Sequence, residues 1–225
     1  MNTSIELQGV SKHFGRVEAV NDISLSVEPG QFVGLVGHNG AGKTTTIRML
    51  TGQLSPTSGS IEVAGVDVVA DPARAKKVLG VVPEHPALYE YLSAREMIEF
   101  VTEVRGGGDV EWALNVAGLG QDADRLIREY SQGMRRKTAL AAALVSKPPV
   151  LVLDEALNGL DPASAERVVA VLADLRAAGA TVILSTHILD TLEKVADRIV
   201  LMEKGEIVVD GTVDVLDDVR RRLRG

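Results

Sequence analysis

The sequence predicts an α/β fold in which a mostly parallel sheet is flanked by helices, with an N-terminal antiparallel β subdomain and an inserted α-helical subdomain. Apolar strand-like segments alternate with helical segments in the C-terminal third, a pattern typical of a parallel sheet covered on both faces. Short strands with turn signals come first, and amphipathic helical patterns fill the middle. Of the 225 residues, 45% are hydrophobic but only 3% are aromatic, which favours a core of aliphatic strands.

Turn signals separate the N-terminal elements. Glu28-Pro29-Gly30 precedes a buried-type strand, and the breaker cluster at residues 55–59 precedes another short strand. The remaining short strands predict an antiparallel element beside the first strand and helix of the main sheet. The expected elements are strands at residues 5–10, 23–27, 31–36 and 60–63 and a helix at residues 45–53.

The middle of the chain, residues 83–144, carries amphipathic helical patterns. Ser93 is expected to cap a helix over residues 93–104, with Glu96 completing a capping box. The three glycines at residues 106–108 are expected to join two helices, because such a run is costly inside either one. We expect residues 1–225 to form one domain, with the helical subdomain inserted at about residues 84–146.

The C-terminal third returns to alternating strands and helices. Its final arginines predict a solvated, frayed helix end, with a contact to anionic headgroups as the weaker alternative. These arginines are Arg220, Arg221, Arg222 and Arg224. The expected elements are strands at residues 150–153, 181–185 and 199–202 and a helix at residues 163–178.

Composition excludes several classes of function. The formal net charge is −7 and no basic stripe is interleaved with aromatic residues, so no nucleic-acid partner is expected. The chain has no cysteine, which excludes disulfides, thiolate metal sites and thiol nucleophiles. No uninterrupted apolar run reaches the roughly 20 residues needed to span a bilayer, so we expect any membrane-spanning part to lie in other chains.

A glycine-rich segment between the strand at residues 31–36 and the following helix matches the complete P-loop pattern. Its glycines let the backbone wrap around phosphates, and its N–H groups and the helix N-terminus offer partial positive charge. We expect Lys43 to bridge the terminal phosphates and Thr44 to bind Mg²⁺, which predicts a P-loop NTPase core. The predicted nucleotide-binding residues of the loop are Gly37, His38, Asn39, Gly40, Ala41, Gly42, Lys43, Thr44 and Thr45.

Two adjacent carboxylates follow the apolar strand at residues 150–153, at the edge where open α/β sheets bind ligands. Asp154 is expected to hold the magnesium shell. Glu155 points away from Asp154 if the strand continues, and it is placed to orient or deprotonate a water that attacks the γ-phosphate. Beside the P-loop, this pair predicts hydrolysis of a nucleoside triphosphate.

Three further motifs follow in order: Tyr130-Ser131-Gln132-Gly133-Met134, then Asn158-Gly159-Leu160-Asp161, then His187. Together with the P-loop and the carboxylate pair, they resemble the ATP-binding subunit of ABC transporters over nearly the whole chain. The resemblance implies that residues 1–225 form an ABC transporter ATP-binding domain.

The resemblance also implies a role for each matching residue. Phe14 would stack on adenine, Asp161 would organise the dimer interface, and His187 would contact the γ-phosphate, so that Glu155, His187 and Lys43 form the catalytic set. Two such domains pair head to tail, so the signature residues would act in trans on the ATP of the partner domain. The signature residues are Ser131, Gln132, Gly133 and Met134.

The sequence departs from the family pattern at two places. Glu84 stands where the family most often has a Gln that touches magnesium, and a carboxylate there can still bind the metal or its waters. Its charge is expected to alter the metal or pH dependence. The signature segment keeps Ser131 and Gly133 but differs elsewhere from the commonest form, and this form resembles subunits paired with separately encoded membrane chains, often exporters.

The expected function is an ATPase subunit that binds ATP and Mg²⁺, dimerises on ATP and powers transport, as an exporter, through separate polytopic membrane subunits. A second nucleotide-binding subunit, identical or related, is the other expected partner. The expected location is cytoplasmic, on the inner face of the cell membrane. Residues 86–91, next to Glu84, are expected to line the groove for the membrane subunit.

Two alternatives remain open from the sequence. The first is a non-transport ABC ATPase acting on nucleic acid or ribosomes, although the chain shows no second nucleotide domain, coiled-coil insertion or basic surface. The second is a binding module that uses ATP occupancy as a switch, against which Glu155 and His187 argue.

Overall fold

The computed structural model describes residues 3–224; residues 1, 2 and 225 of the predicted 1–225 domain lie outside the described residues. Aliphatic, β-branched runs form most strands of this part, in keeping with their preference for a pleated buried surface. The strands are β1 (Ile5–Phe14), β2 (Val17–Val27), β3 (Phe32–Val36), β4 (Ser58–Val63), β5 (Val66–Asp67), β6 (Leu79–Val82), β7 (Val150–Asp154), β8 (Thr181–Ser185), β9 (Arg198–Glu203) and β10 (Glu206–Thr212).

The α-helices begin at capping residues in most cases: Asp71, Ser93, Asp109, Ser131 and Asp161 each accept a hydrogen bond from a backbone N–H of the first turn. The helices are α1 (Lys43–Leu50), α2 (Pro72–Val78), α3 (Ala94–Arg105), α4 (Val110–Ala117), α5 (Gln132–Leu144), α6 (Pro162–Ala177), α7 (Leu189–Val195) and α8 (Leu216–Arg222).

Two sheets organise the described chain. One is antiparallel, with the strand order β2-β1-β4-β5. The other has the order β10-β9-β3-β8-β7-β6 and is parallel except for its β10 edge strand. Helices α3, α4 and α5 lie between β6 and β7 in the chain. The predicted fold class is therefore confirmed.

The two faces of the larger sheet pack into different cores. In β3 every side chain is buried, with Val33 and Leu35 facing the antiparallel sheet while Phe32 and Val36 face the helices α5 to α8. The other central strands alternate in the same way. A strand covered on both faces must be apolar throughout, which is why the sequence signal here was a continuous apolar run.

The helices between β6 and β7 have their own core, centred on fully buried Ile98 and Ile127. The predicted capping box at the start of α3 is confirmed: Glu96 N donates to Ser93 Oγ at 3.1 Å, and Ser93 N donates to Glu96 Oε2 at 2.8 Å. The predicted helix junction at residues 106–108 is also confirmed, because α3 ends at Gly106 in a left-handed conformation and α4 begins at Val110.

Other expectations need correction. Helix α1 starts two residues before the predicted helix, because it begins at Lys43 inside the phosphate loop. Helix α2 and strands β5, β6 and β10 have no counterpart among the predicted elements. The predicted solvated helix end holds for Arg221, Arg222 and Arg224, which are exposed. It needs correction for the rest of α8, which buries Leu216 and Val219, while Arg220 forms ion pairs with Asp190, Glu193 and Asp217.

The capping box predicts a stability effect. Ser93→Ala removes the acceptor for Glu96 N and should lower the free energy of unfolding by about 1 kcal/mol. Ser93→Thr keeps a hydroxyl at this position and should lose clearly less. The measurement is the urea midpoint at constant slope; equal losses in both variants would show that the hydroxyl does not stabilise α3.

Candidate active site

The phosphate loop connects the buried end of β3 to the first turn of α1. Gly42 is the N-cap residue of α1 in a left-handed conformation with φ 103°, and no side chain caps the helix. The first-turn N–H groups of α1 therefore face the loop's cavity without a side-chain acceptor, an arrangement that attracts anions. The Lys43 ammonium donates to the carbonyls of Gly37 at 2.6 Å and His38 at 3.2 Å, which holds it across the loop.

Two of the loop's glycines are required by space as well as by backbone angle. At Gly37, with φ 151°, a Cβ would lie 2.3 Å from the Met202 carbonyl oxygen. At Gly42 it would lie 2.7 Å from the Ala19 carbonyl oxygen. The loop is thus pressed against backbone of β9 on one side and of β2 on the other, and no larger residue fits at either position.

An open cavity of about 1320 Å³ lies over this loop. It brings together most of the residues predicted for the nucleotide and the chemistry. Its lining residues are Phe14, Val17, Glu18, Ala19, Gly37, His38, Asn39, Gly40, Ala41, Gly42, Lys43, Thr44, Thr45, Glu84, Glu155, Asn158, His187 and Leu223.

Asp154 closes the buried side of the site at the end of β7. Its side chain is 2% exposed, and its Oδ1 atom has no hydrogen-bond partner in the described part of the chain. Burial raises the pKa of Asp154, and the neighbouring hydroxyls of Thr44 and Ser185 work in the opposite direction. A buried carboxylate oxygen without a donor is the kind of group that a cation satisfies.

Glu155 does not continue the strand. It adopts a left-handed backbone conformation with φ 47°. Because β7 ends at Asp154, strand alternation does not set the direction of the Glu155 side chain, as it would if the strand continued. Its Oε2 atom accepts a hydrogen bond from Asn158 Nδ2 at 2.9 Å and lies 3.1 Å from His187 Nδ1. The Glu155 side chain is only 12% exposed, whereas that of His187 is 67% exposed. The turn therefore aims a shielded carboxylate at the cavity, with the histidine on its solvent side.

The predicted signature residues and Asp161 do not line this cavity. Ser131 caps α5, accepting from Met134 N at 3.3 Å, and Asp161 caps α6, accepting from Ser164 N at 2.9 Å. Lys137 Nζ lies 3.3 Å from Asp161, which ties the two helix starts together. Gln132 and Gly133 occupy the first turn of α5.

Basic side chains of α5 also reach the loop that carries Glu84. Arg136 Nη2 donates to the Glu84 carbonyl at 2.8 Å, and Arg135 Nη1 donates to Glu90 Oε1 at 2.8 Å. The signature helix and the Glu84 loop are therefore fixed to each other by two arginines.

Sequence reasoning missed some residues of the cavity. Asn158 belongs to a motif found in the sequence, but its hydrogen bond to Glu155 was not predicted. Its position three residues after Glu155 is the signal that could have identified it as a partner of that carboxylate. Val17 and Leu223 reach the cavity near Phe14 through tertiary packing of β2 and of the segment after α8, for which the sequence carries no local signal.

The chain belongs to the ABC transporter family, whose sequence pattern matches residues 20–158. It is similar to ATP-binding proteins within that family. It is 33% identical to the bacitracin transport ATP-binding protein BcrA of Enterococcus faecalis, over 99% of this chain and 73% of that protein. It is 36% identical to the daunorubicin/doxorubicin resistance ATP-binding protein DrrA of Streptomyces peucetius, over 96% of this chain and 68% of that protein.

Solved structures of ATP-binding cassettes share the fold of this chain. The structure of an ATP-binding subunit of an ABC transporter superposes with a TM-score of 0.89 at 31% identity, covering 99% of this chain and 95% of that chain. An ATP-binding cassette solved as a dimer in a post-hydrolysis state with ADP and Pi shares the fold, with a TM-score of 0.86 at 23% identity over 93% and 98% of the two chains. The predicted family and its ATPase activity are thereby confirmed, and the ribosome or nucleic-acid alternative is not favoured. Within residues 3–224, no helix is both long and apolar enough to cross a bilayer.

The cap at Asp161 predicts a pH-dependent contribution to stability. The Ser164 hydroxyl, then the Ser164 N–H and Lys137, lower the pKa of Asp161 from its ordinary 3.8. A carboxyl group whose pKa is lower in the folded chain than in the unfolded chain stabilises the fold at pH values above its unfolded-state pKa. This contribution is lost as the pH falls through the folded-state pKa. Asp161→Asn keeps a cap without the charge, so it should be less stable than the native chain at pH 7, with the gap narrowing between roughly pH 4 and pH 2.

Urea midpoints measured in parallel along this pH range test the prediction. Because both chains share every other titrating group, their difference isolates Asp161. A gap that stays constant from neutral to acid pH would mean that the carboxylate charge does not contribute.

Proposed function

We propose that this chain is the ATP-hydrolysing subunit that drives export through separate membrane-spanning subunits, on the cytoplasmic side of the cell membrane, as one of a pair of nucleotide-binding subunits. The observation that carries the proposal is the single cavity in which the phosphate loop, Phe14, Glu155 and His187 meet. Similarity to relatives named for bacitracin transport and for daunorubicin resistance supports export of a compound as the outcome.

The loop residues bind the triphosphate in this proposal. The open first turn of α1 and the Lys43 ammonium supply positive charge to the β- and γ-phosphates. Phe14 lines the cavity and is 49% exposed, so its ring is available to stack on adenine. Lys12 Nζ lies 5.3 Å from the centre of that ring, and this contact orients it.

The donor set fits Mg²⁺. Thr44 offers a hydroxyl, and Asp154 offers the buried Oδ1 atom that lacks a donor among the described residues. Glu84 adds a carboxylate at the rim of the same cavity, on a loop fixed by Arg136. When bound, the ion neutralises phosphate charge; Thr44, Asp154 and Glu84 hold it, and the extra charge of Glu84 favours the metal while opposing the nucleotide.

Glu155 is the proposed base for the attacking water. Its Oε2 atom is engaged by Asn158 and His187, and in the described chain Oε1 accepts no hydrogen bond, which leaves that oxygen for a water. His187 holds the carboxylate on one side and faces the cavity on the other, where it contacts the γ-phosphate. Asn158 is a positioning residue, since the hydrogen bond of its side chain goes to Glu155.

A second nucleotide-binding subunit completes the ATP site in this proposal. Ser131, Gln132, Gly133 and Met134 start α5 away from the cavity of their own chain, so they act on nucleotide held by the partner. Asp161 is tied to α5 of its own chain through Lys137. The pair encloses the nucleotide between the phosphate loop of one subunit and the signature of the other.

An exposed aromatic cluster next to the Glu84 loop is the proposed contact with the membrane subunit. Tyr89 and Tyr91 are 60% and 77% exposed, and the Tyr89 ring packs edge-on against Phe100 at 5.7 Å. Exposed aromatic side chains on a rigid base are typical of protein interfaces. Arg135 and Arg136 link this cluster to α5, so movement of a membrane subunit bound at the cluster would reach the signature segment.

Glu155→Gln should keep ATP binding but lower the steady-state ATPase rate by about 10²-fold or more, because the amide cannot take a proton from water. The variant should also accumulate as an ATP-bound dimer in size-exclusion chromatography. Glu166→Gln is the matched control, since Glu166 is an exposed carboxylate on α6 outside the cavity. Unchanged turnover in Glu155→Gln would remove Glu155 from the mechanism.

Tyr91→Glu should leave ATPase activity of the isolated chain unchanged but reduce recovery of a polytopic membrane protein by about tenfold when the tagged chain is purified from detergent-solubilised host membranes. Val69→Glu places the same charge at a 49%-exposed apolar residue in the segment after β5 and should not affect recovery. Mass spectrometry of the purified material identifies the partner. Equal recovery with all three chains would place the interface elsewhere, and absence of any membrane protein would contradict the transport role.

A further inference from the structure

A second large cavity lies at the opposite end of the parallel strands from the phosphate loop. Its volume is about 610 Å³, within the range of small-molecule sites. Pro148 and Pro149, which precede β7, form one wall, and the last turn of α2, which precedes β6, forms another. Gly106 and Gly107 of the α3–α4 junction complete it. Since β3, β6 and β7 run parallel, this cavity is separated from the nucleotide site by the length of the sheet.

The cavity is lined by four cationic side chains and, among the residues the structure describes, by no acidic one. The cations come from three separate parts of the chain and converge on one volume: Lys76, Lys77, Arg105 and Lys147. The formal net charge of the chain is −7, and none of these four cations makes an ion pair within residues 3–224. Their mutual repulsion is a cost that an anion between them would remove.

Arg105 gives the most specific indication. One end of its guanidinium donates from Nη2 to the Leu79 carbonyl at 2.9 Å, at the start of β6. Its Nη1 atom is buried and has no hydrogen-bond partner in the described chain. Burial lowers the pKa of Arg105, as expected for a cation that lacks a compensating charge. A partly buried guanidinium with one buried nitrogen that lacks an acceptor among the described residues is a group that an anionic ligand would satisfy.

Helix stability explains only part of this arrangement. Lys76, Lys77 and Arg105 lie in the last turns of α2 and α3, where cations interact favourably with helix carbonyls. Lys147 belongs to neither helix: it sits in a turn with φ 46°, and its ammonium lies 4.8 Å from the centre of the Trp112 ring. Because Lys147 also lines the cavity, helix capping alone does not account for its cationic lining.

We propose that this cavity is a second ligand site, which binds a small anion carrying two or more charges, of the phosphate-ester or pyrophosphate class. Guanidinium and ammonium groups that converge on one volume are the standard protein means of holding phosphate oxygens. The same chemistry is presented by a soluble phosphorylated molecule and by a phospholipid headgroup. The ligand would contact the last turn of α2, which precedes β6, and the residues before β7, so its binding stiffens the amino-terminal edge of the sheet.

Trp112 provides a local reporter, because it is the chain's single tryptophan and contacts Lys147. Titration with inorganic pyrophosphate should give a saturable change in Trp112 fluorescence. The double variant Lys76→Gln/Lys77→Gln changes two exposed side chains and should weaken this binding by at least about tenfold. Lys147→Asn, which keeps a residue tolerant of the left-handed turn, should weaken it as well. Arg74→Gln on the same helix lies outside the cavity and should bind as the native chain does.

The phosphate loop is a second binder of pyrophosphate, so the titration is repeated in Lys43→Ala. The fluorescence change should persist there. Its loss in Lys43→Ala, its absence in the native chain, or equal affinities for the native chain and the Lys76→Gln/Lys77→Gln variant would each overturn the proposal.

Vesicle flotation distinguishes the two sources of the ligand. Flotation with vesicles of phosphatidylcholine plus phosphatidate, but not of phosphatidylcholine alone, that is lost in Lys76→Gln/Lys77→Gln would identify a lipid headgroup. A lack of flotation together with intact, lysine-dependent pyrophosphate binding would identify a soluble phosphorylated ligand.

Discussion

The contact of the phosphate loop with neighbouring backbone is the constraint on which the rest of the site depends. Gly37 lies against the Met202 carbonyl of β9, and Gly42 lies against the Ala19 carbonyl of β2. These two contacts join the loop to both sheets at once. The antiparallel sheet is therefore more than a cover for the core, because its strand β2 forms one side of the anion-binding loop and β1 delivers Phe14 to the same cavity.

The parallel arrangement then brings the chemistry to one edge. Strands β3, β8 and β7 are neighbours and end at the same edge of the sheet. The phosphate loop, the carboxylate pair and the segment leading to His187 follow these strands, so the parallel pairing alone brings them together. What the strand order does not determine is the direction of Glu155. Its left-handed turn and its contact with Asn158 set that direction, at a cost in backbone strain that is common in functional sites.

Local patterns predicted the parts of the fold whose stability is local. The strand at residues 181–185, the capping box of α3 and the helix junction at residues 106–108 match the structure because an apolar run, a cap and a glycine cluster each have short-range physical causes. Helix α2 and strand β6 were missed because residues 72–82 show neither a clear helical nor an alternating period. Of the site, the ordered motifs predicted the phosphate loop and the carboxylates, whereas Val17 and Leu223 reach the cavity only through tertiary packing.

Helix α5 links these parts physically. Its first residue follows Ser131, and its side chains Arg135 and Arg136 bond to Glu90 and to the Glu84 carbonyl. It ends at Leu144, two residues before Ser146, which lines the second cavity. A helix of 13 residues is about 20 Å long and stiff, since its N–H groups beyond the first turn are bonded within it. Its buried face packs on Leu151 and Leu153 of the sheet as well as on the helical core. The loop that carries Glu84 and the segment at Ser131 are therefore both attached to one rigid helix, whose end lies two residues before the first lining residue of the second cavity, Ser146.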